Sequence, residues 1–232
     1  MSPLRRSSLL LLCALLGILI FGFLNWKHPP APQPASEAPG STIIKQPVNF
    51  TQRTFDPANP PAEMPPLTGT ENAECDSSFL SSATVSGNTL QTDATRATLT
   101  VTQVKMTLQL NLTIWVPDGV SQHVHEHEEG HRQISEYYYQ TADAVAQRVA
   151  TRYIGRVVEV TGADPSSESN KVLQQIAAEI TAEYNRLLNP DPTQLLYDTI
   201  TDHSRNGVPA SDAVSHAIKN VTVESLQAPN SN

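Results

Sequence analysis

The pattern of side chains changes abruptly in the middle of the chain, and this change limits the possible folds more than any other feature. From Ser78 to Pro117 apolar and polar residues alternate, for example in Met106 to Val116, which reads MTLQLNLTIWV. A repeat of two residues is typical of β-strands with one buried face. The turn residues Pro117-Asp118-Gly119 then close the last strand. We therefore expect a sheet in this part of the chain.

A helical repeat follows the turn. The stretch from about Ser121 to Tyr153 contains no proline, and its one glycine is Gly130. Ser121 is a suitable N-cap because its hydroxyl can accept a hydrogen bond from the first helical turn. A second amphipathic helix is predicted from about Glu168 to Leu188, and a last helical piece begins near Ser211. The pattern predicts the α+β class, with a small antiparallel sheet packed against two long helices.

The amino terminus predicts entry into a membrane. Arg5 and Arg6 precede an uncharged run from Leu9 to Leu24. This run is longer than the usual core of a signal peptide, and no small-residue cleavage site follows it, which favours an uncleaved anchor over a cleaved leader. The arginines would stay in the cytoplasm, so the rest of the chain would lie outside. We expect a membrane anchor or signal segment at residues 1–26, a proline-rich linker at 27–70 and a folded domain at 71–232.

Charge and cysteine content narrow the possible partners. The net charge is -8, with 15 Lys and Arg against 23 Asp and Glu. Without a basic stripe the chain has no means of neutralising phosphates, so a nucleic-acid partner is not expected. Of the two cysteines, Cys13 lies in the apolar run and Cys75 alone lies beyond it. A single exported cysteine cannot form an intramolecular disulfide, so Cys75 is predicted to be a free or intermolecular thiol.

The helix that follows the turn carries the sequence HEEGH. His127 and His131 are four residues apart, so both project from one face of a helix and could bind one zinc ion. Glu128 lies beside the position that a zinc-bound water would take. In metallopeptidases this arrangement lets zinc activate the water while the glutamate accepts its proton. The motif predicts a zinc-dependent hydrolase, with Glu128 as the catalytic base.

The same stretch allows a less specific interpretation. Histidines also occupy positions 123 and 125, so HEEGH could be part of a histidine-rich tract that has no catalytic role. His123 and His127 form a competing pair at the same spacing, but Val124 follows His123 and this pair would have no adjacent base. Glu126 and Glu129 are interpreted as solvated charges on an acidic helix face.

A catalytic zinc usually has a third protein ligand. Glu179 and Glu183 on the second long helix are candidates, although their spacing also suits an ordinary exposed helix face. His203, after the helix break at Asn189-Pro190-Asp191-Pro192, is another candidate. The spacing of these residues leaves the choice open.

Two motifs together resemble a known family. HEEGH on a long helix, followed some seventy residues later by YDxxTxH (Tyr197 to His203), is similar to the bacterial family called domain of unknown function 922, described as predicted secreted zinc-dependent proteases. The resemblance extends from about Cys75 to Gly207. It implies that His127, His131 and His203 are the zinc ligands and that Glu128 is the base. The chain departs from the family at Ser204, where glycine is usual.

Tyr197 and Asp198 belong to the second motif. Tyr197 could donate a hydrogen bond to a developing oxyanion, and Asp198 could orient a ligand imidazole. Packing roles are equally compatible with both residues.

Taken together, these features predict a zincin-like α+β zinc peptidase that acts on a peptide or protein substrate outside the cytoplasm, held at the membrane by its amino-terminal segment or secreted. The alternative is a non-catalytic zinc-binding envelope protein. Zinc-activated water also hydrolyses other amides and esters, so the motif alone does not restrict the substrate to peptides.

Overall fold

A computed structural model describes residues 39–67 and 71–227 of the chain. Strands and helices follow one another in the order β1, β2, β3, β4, α1, α2, β5, α3, α4, α5. The strands are β1 Gly40–Lys45, β2 Asn49–Phe55, β3 Glu74–Gln91, β4 Arg96–Pro117 and β5 Val157–Thr161. The helices are α1 Gln122–Gln140, α2 Ala142–Tyr153, α3 Pro165–Leu187, α4 Asp191–Thr201 and α5 Ala210–Gln227.

The sheet is built around β4, which is 22 residues long. The strand β3 pairs with β4 in antiparallel orientation along nearly its whole length. Three short strands pair with successive, non-overlapping parts of β4: β5 antiparallel at residues 96–100, β1 parallel at 103–108 and β2 parallel at 111–117. Because β3 pairs with β4 alongside all three of these parts, β5, β1 and β2 must share the opposite edge of β4.

The prediction of a small antiparallel sheet against two long helices is therefore wrong. Two of the five strands, β1 and β2, pair in parallel with β4, so the sheet is mixed. Both come from residues 40–55, within the range assigned to the linker. Alternation of side chains shows which face of a strand is buried but not the direction of the neighbouring strand, so the sequence pattern could not reveal the parallel pairs.

The helical part also differs from the prediction. The expected helix from Ser121 to Tyr153 consists of two helices, because the backbone leaves helical geometry at Thr141 (φ −95°, ψ 0°). In all, five helices lie in the described part of the chain. The predicted zincin-like arrangement of two long helices on an antiparallel sheet is therefore wrong. The described residues form a mixed sheet with five helices. Within residues 39–67 and 71–227, no helix is both long enough and apolar enough to cross a membrane, and the predicted anchor at residues 1–26 lies outside the described residues.

The core forms where the helices cover one face of β4. A β-bulge between Ser86 and Gly87 leaves Thr102 of β4 without a partner in β3. The buried positions of β4 change from odd to even numbers at this point, as expected when one extra residue is inserted into a strand. The even-numbered apolar side chains from Val104 to Leu112 then pack with α2 and α3. Helix α1 contributes Tyr139 to this core, and its Val124 packs against a second cluster that contains Ile114 and Val116 of β4.

Candidate metal centre

Of the HEEGH residues on helix α1, His127, Glu128 and Gly130 are buried and most of the His131 side chain is covered, whereas Glu129 is part-exposed. Only 5 % of the surface of each of His127 and Glu128 is exposed. The two histidines lie one turn apart, and their Nε2 atoms are 3.2 Å from each other. This separation follows from the helical spacing of four residues, as the sequence predicted.

Gly130, between the two histidines, makes room for Tyr197 of α4. A Cβ atom at position 130 would overlap the phenol of Tyr197. The Tyr197 hydroxyl donates a hydrogen bond of 3.0 Å to the backbone carbonyl of His127, and its ring stacks on the His127 imidazole at 5.0 Å between centroids. Glycine at this position therefore allows α4 to approach α1 closely.

This approach brings Asp198 to the two histidines. Its Oδ1 atom lies 2.9 Å from Nε2 of His131 and 3.3 Å from Nε2 of His127. One ligand atom from each of the three residues lies within 4.8 Å of the others. In the described part of the chain, this is the one group of three or more His, Cys, Asp or Glu side chains close enough to hold a metal ion.

The geometry of the three residues fits a tetrahedral metal. In a zinc site with bonds of roughly 2.0–2.1 Å, neighbouring ligand atoms are about 3.3 Å apart. Although Asp198 Oδ1 is buried and close to both imidazoles, it has no partner in hydrogen-bonding geometry among the described residues. The three atoms lie 2.9, 3.2 and 3.3 Å from one another, close to the separations expected around one metal ion. Two imidazoles and one carboxylate are ligands that suit zinc.

Gln194 holds the second histidine. His131 Nδ1 lies 2.7 Å from Gln194 Oε1, which can only accept, so Nδ1 carries the hydrogen and Nε2 keeps its lone pair for a metal. The amide nitrogen of Gln194 donates to the His131 carbonyl at 3.1 Å and to Ser135 Oγ at 3.0 Å. Sequence reasoning missed Gln194, because a glutamine four residues before Asp198 carries no signal of its own.

Glu128 lines a cavity of about 190 Å³ beside the three residues. Its side chain is buried. Burial raises the pKa of Glu128 to about 8, a shift that the neighbouring His131 partly offsets. The other residues that line the cavity are Glu71, Ala73, Glu74, Cys75, Ser77, His127, His131, Gln194 and Asp198. The cavity thus joins the start of β3 to α1 and α4.

The three metal-binding candidates shift one another's pKa values through their charges. Burial lowers the pKa of His131, but the Asp198 carboxylate outweighs burial and raises this pKa to about 9. For His127 burial dominates, and the pKa falls below its usual value. Burial alone would raise the pKa of Asp198, yet the two imidazoles hold it well below its usual range. In the zinc-free protein Asp198 and His131 therefore form an ion pair at the position where zinc would bind.

His203 lies at the margin of this group. Its Nδ1 atom is 3.8 Å from Asp198 Oδ1 and 3.9 Å from Glu71 Oε1, and 37 % of its side chain is exposed. Three consecutive residues, Asp202, His203 and Ser204, have φ between 50° and 62°. Such left-handed backbone is costly for residues other than glycine and concentrates at functional sites. The structure brings His203 near the site but outside the group of three.

The other candidates from the sequence lie elsewhere. Glu179 pairs with Arg156 and Glu183 pairs with Arg152, each at 2.6 Å, and neither lines the cavity. His123 Nε2 is 2.8 Å from the Asn206 carbonyl, and His125 faces Gln52. The structure therefore brings neither glutamate to the two HEEGH histidines.

Comparisons with known proteins found no match among protein-family models, curated proteins or solved structures. The resemblance drawn from HEEGH and YDxxTxH therefore rests on those motifs alone.

Proposed function

We propose that this protein is a zinc-dependent peptidase in which His127, His131 and Asp198 hold the metal and Glu128 is the catalytic base. The observation that carries the proposal is the position of Asp198 Oδ1, 2.9 and 3.3 Å from the two imidazole Nε2 atoms, with the buried Glu128 side chain in the same cavity. The family resemblance favours a peptide or protein substrate. The arginines and apolar run within residues 1–26 favour a domain outside the cytoplasm, tethered or exported.

A zinc ion held by His127, His131 and Asp198 would supply Lewis acidity, which would lower the pKa of a water molecule and polarise the scissile carbonyl. The protein's own residues supply the rest. Gln194 keeps the hydrogen of His131 on Nδ1 and so presents Nε2 to the metal. Glu128 accepts the proton of the attacking water on its carboxylate oxygen. Once it has accepted that proton, Glu128 can return it to the leaving amine.

Glu128→Gln tests catalysis separately from metal binding. Zinc content should stay at one ion per chain, because Glu128 is not among the three ligand candidates. Cleavage of a pool of unstructured synthetic peptides should fall by at least about 100-fold, the usual contribution of a general base. Glu129→Gln is the matched control, since Glu129 pairs with Arg132 and does not line the cavity.

The rival proposal is a non-catalytic zinc-binding protein. It predicts that the zinc-loaded wild-type protein cleaves no peptide in the pool and that Glu128→Gln and Glu129→Gln behave alike. Zinc bound at one ion per chain without any cleavage would favour this rival.

A further inference from the structure

The cavity beside the candidate metal centre is acidic. Carboxylates belong to four of the residues that line it: Glu71, Glu74, Glu128 and Asp198. Within the described part of the chain, no lysine or arginine lines it. A zinc ion bound by neutral imidazoles would balance only two of these four charges. The zinc-loaded cavity would therefore still attract a cation.

Glu71 and Glu74 have no part in the proposed metal chemistry, in which Asp198 is a ligand and Glu128 is the base. Burial raises the pKa of Glu74, and the charge of the neighbouring Glu71 raises it further. Glu71 Oε1 also lies 3.9 Å from Nδ1 of His203. Two carboxylates held close together and away from water destabilise each other's charged form, and a cation placed between them removes this cost.

A buried polar atom without a partner gives a second indication that the cavity takes a ligand. The His127 side chain lines the cavity and is only 6 % exposed, and its Nδ1 atom has no hydrogen-bond partner in the structure. Buried polar atoms are nearly always hydrogen-bonded in folded proteins, so such an atom calls for a partner. A zinc ion on Nε2 would leave Nδ1 as it is. The cavity therefore has the unsatisfied polar lining of a ligand site.

The size of the cavity limits what can enter it. Its volume of about 190 Å³ equals that of roughly six water molecules, at about 30 Å³ each. Sites for drug-sized ligands are larger, at about 300–1,000 Å³. Residues from β3, α1 and α4 line the space. It therefore suits a small charged group or the terminal residue of a chain.

We propose that Glu71 and Glu74 bind a primary ammonium group of the peptide substrate beside the metal. An ammonium group carries a full positive charge and three N–H donors, so it can pair with two neighbouring carboxylates. A peptide has such a group at its amino terminus and on each lysine side chain. Recognition of the amino terminus would make the protein an aminopeptidase, and the small volume favours this source. The inference rests on the proposed peptidase function for cleavage, but not for binding.

Cleavage of matched peptides by the full-length, zinc-loaded protein tests the inference. Each peptide is prepared with its amino terminus free or acetylated, and with its one lysine side chain free or acetylated. Acetylation of the recognised ammonium group should lower kcat/KM by about 10- to 100-fold, because charge-assisted hydrogen bonds are lost. Acetylation of the other group should have little effect. Mass spectrometry of the products shows whether single residues leave the amino terminus.

Glu74→Gln assigns this selectivity to the cavity. The ratio of kcat/KM between the free and acetylated forms should fall by at least about tenfold, because the amide carries no charge to pair with the ammonium group. Zinc content should stay at one ion per chain, since Glu74 is not among the ligand candidates. Asp76→Asn is the matched control, because Asp76 also lies on β3 but does not line the cavity. Its ratio should equal that of the wild type.

Calorimetric titration of the zinc-loaded Glu128→Gln protein with the same peptides measures binding without turnover. The free form should bind at least about tenfold more tightly than the acetylated form. If this preference is found but the wild-type protein cleaves no peptide, the peptidase function fails and ammonium recognition stands.

Three outcomes overturn ammonium recognition. The first is equal cleavage of free and acetylated peptides, and the second is a Glu74→Gln protein that keeps the wild-type ratio; in both of these the peptidase function stands. The third is equal or absent binding of the two forms in the titration.

Discussion

The identity of the third ligand gives the sharpest test of the site. The family resemblance implies His203, whereas the structure places Asp198 Oδ1 against both imidazoles and His203 Nδ1 a further 3.8 Å from that oxygen. Asp198→Ala removes the one carboxylate in the group of three. His203→Ala removes a half-exposed ring beside the group. If Asp198 is the ligand, the two variants should differ strongly in zinc affinity.

The magnitude follows from the contacts. Loss of a residue outside the ligand shell typically weakens metal binding by about 10- to 100-fold, so loss of a direct ligand should cost at least about 100-fold. At a free zinc concentration about a hundred times the wild-type Kd, zinc stabilises the wild-type fold by roughly 2.7 kcal/mol. With a 100-fold larger Kd, the Asp198→Ala variant would gain only about 0.4 kcal/mol at the same zinc concentration.

Two measurements check this prediction: zinc affinity from competition with a chelator, and the free energy of unfolding with and without zinc. His203→Ala should keep most of the zinc-dependent stabilisation. The reasoning is refuted if His203→Ala loses this stabilisation while Asp198→Ala retains it, because the ligand set would then be the one that the family resemblance implies.

Three further perturbations probe the surroundings of the metal. Gln194→Ala should weaken zinc binding by about 10- to 100-fold, because the orientation of His131 is lost, and unchanged affinity would contradict the role of Gln194. Gly130→Ala should lower the free energy of unfolding by roughly 2–4 kcal/mol, because the new methyl group displaces the Tyr197 phenol and its hydrogen bond; a melt like that of the wild type would disprove this packing. The zinc-free protein should lose stability as pH rises from about 6.5 to 9. In the folded state the pKa of His131 is raised to about 9 and that of Glu128 to about 8, so the fold binds these protons more tightly than the unfolded chain and is weakened as they leave. Urea denaturation that shows constant or rising stability over this range would contradict the ion pair between His131 and Asp198.

Sequence alone was sufficient for those features that depend on local periodicity. The four-residue spacing of His127 and His131 puts both on one face of α1 whatever surrounds the helix. The alternation from Met106 to Val116 predicted a strand with one buried face, and β4 has that face. The start of the second amphipathic helix was also predicted to within a few residues, because Pro165 and the N-cap Asp164 lie close to the onset of the helical repeat.

Tertiary structure decided everything that depends on contacts between distant segments. The parallel pairing of β1 and β2 could not be read from alternation, which is the same in either direction. Asp198 lies 67 or more residues from the two histidines, and only the close approach of α4 at Gly130 turns a carboxylate of ambiguous role into a metal-binding candidate. Gln194 gains its role from the same approach. A side chain becomes part of a site when packing places it there, and a single sequence records which side chains are present but not which helices meet.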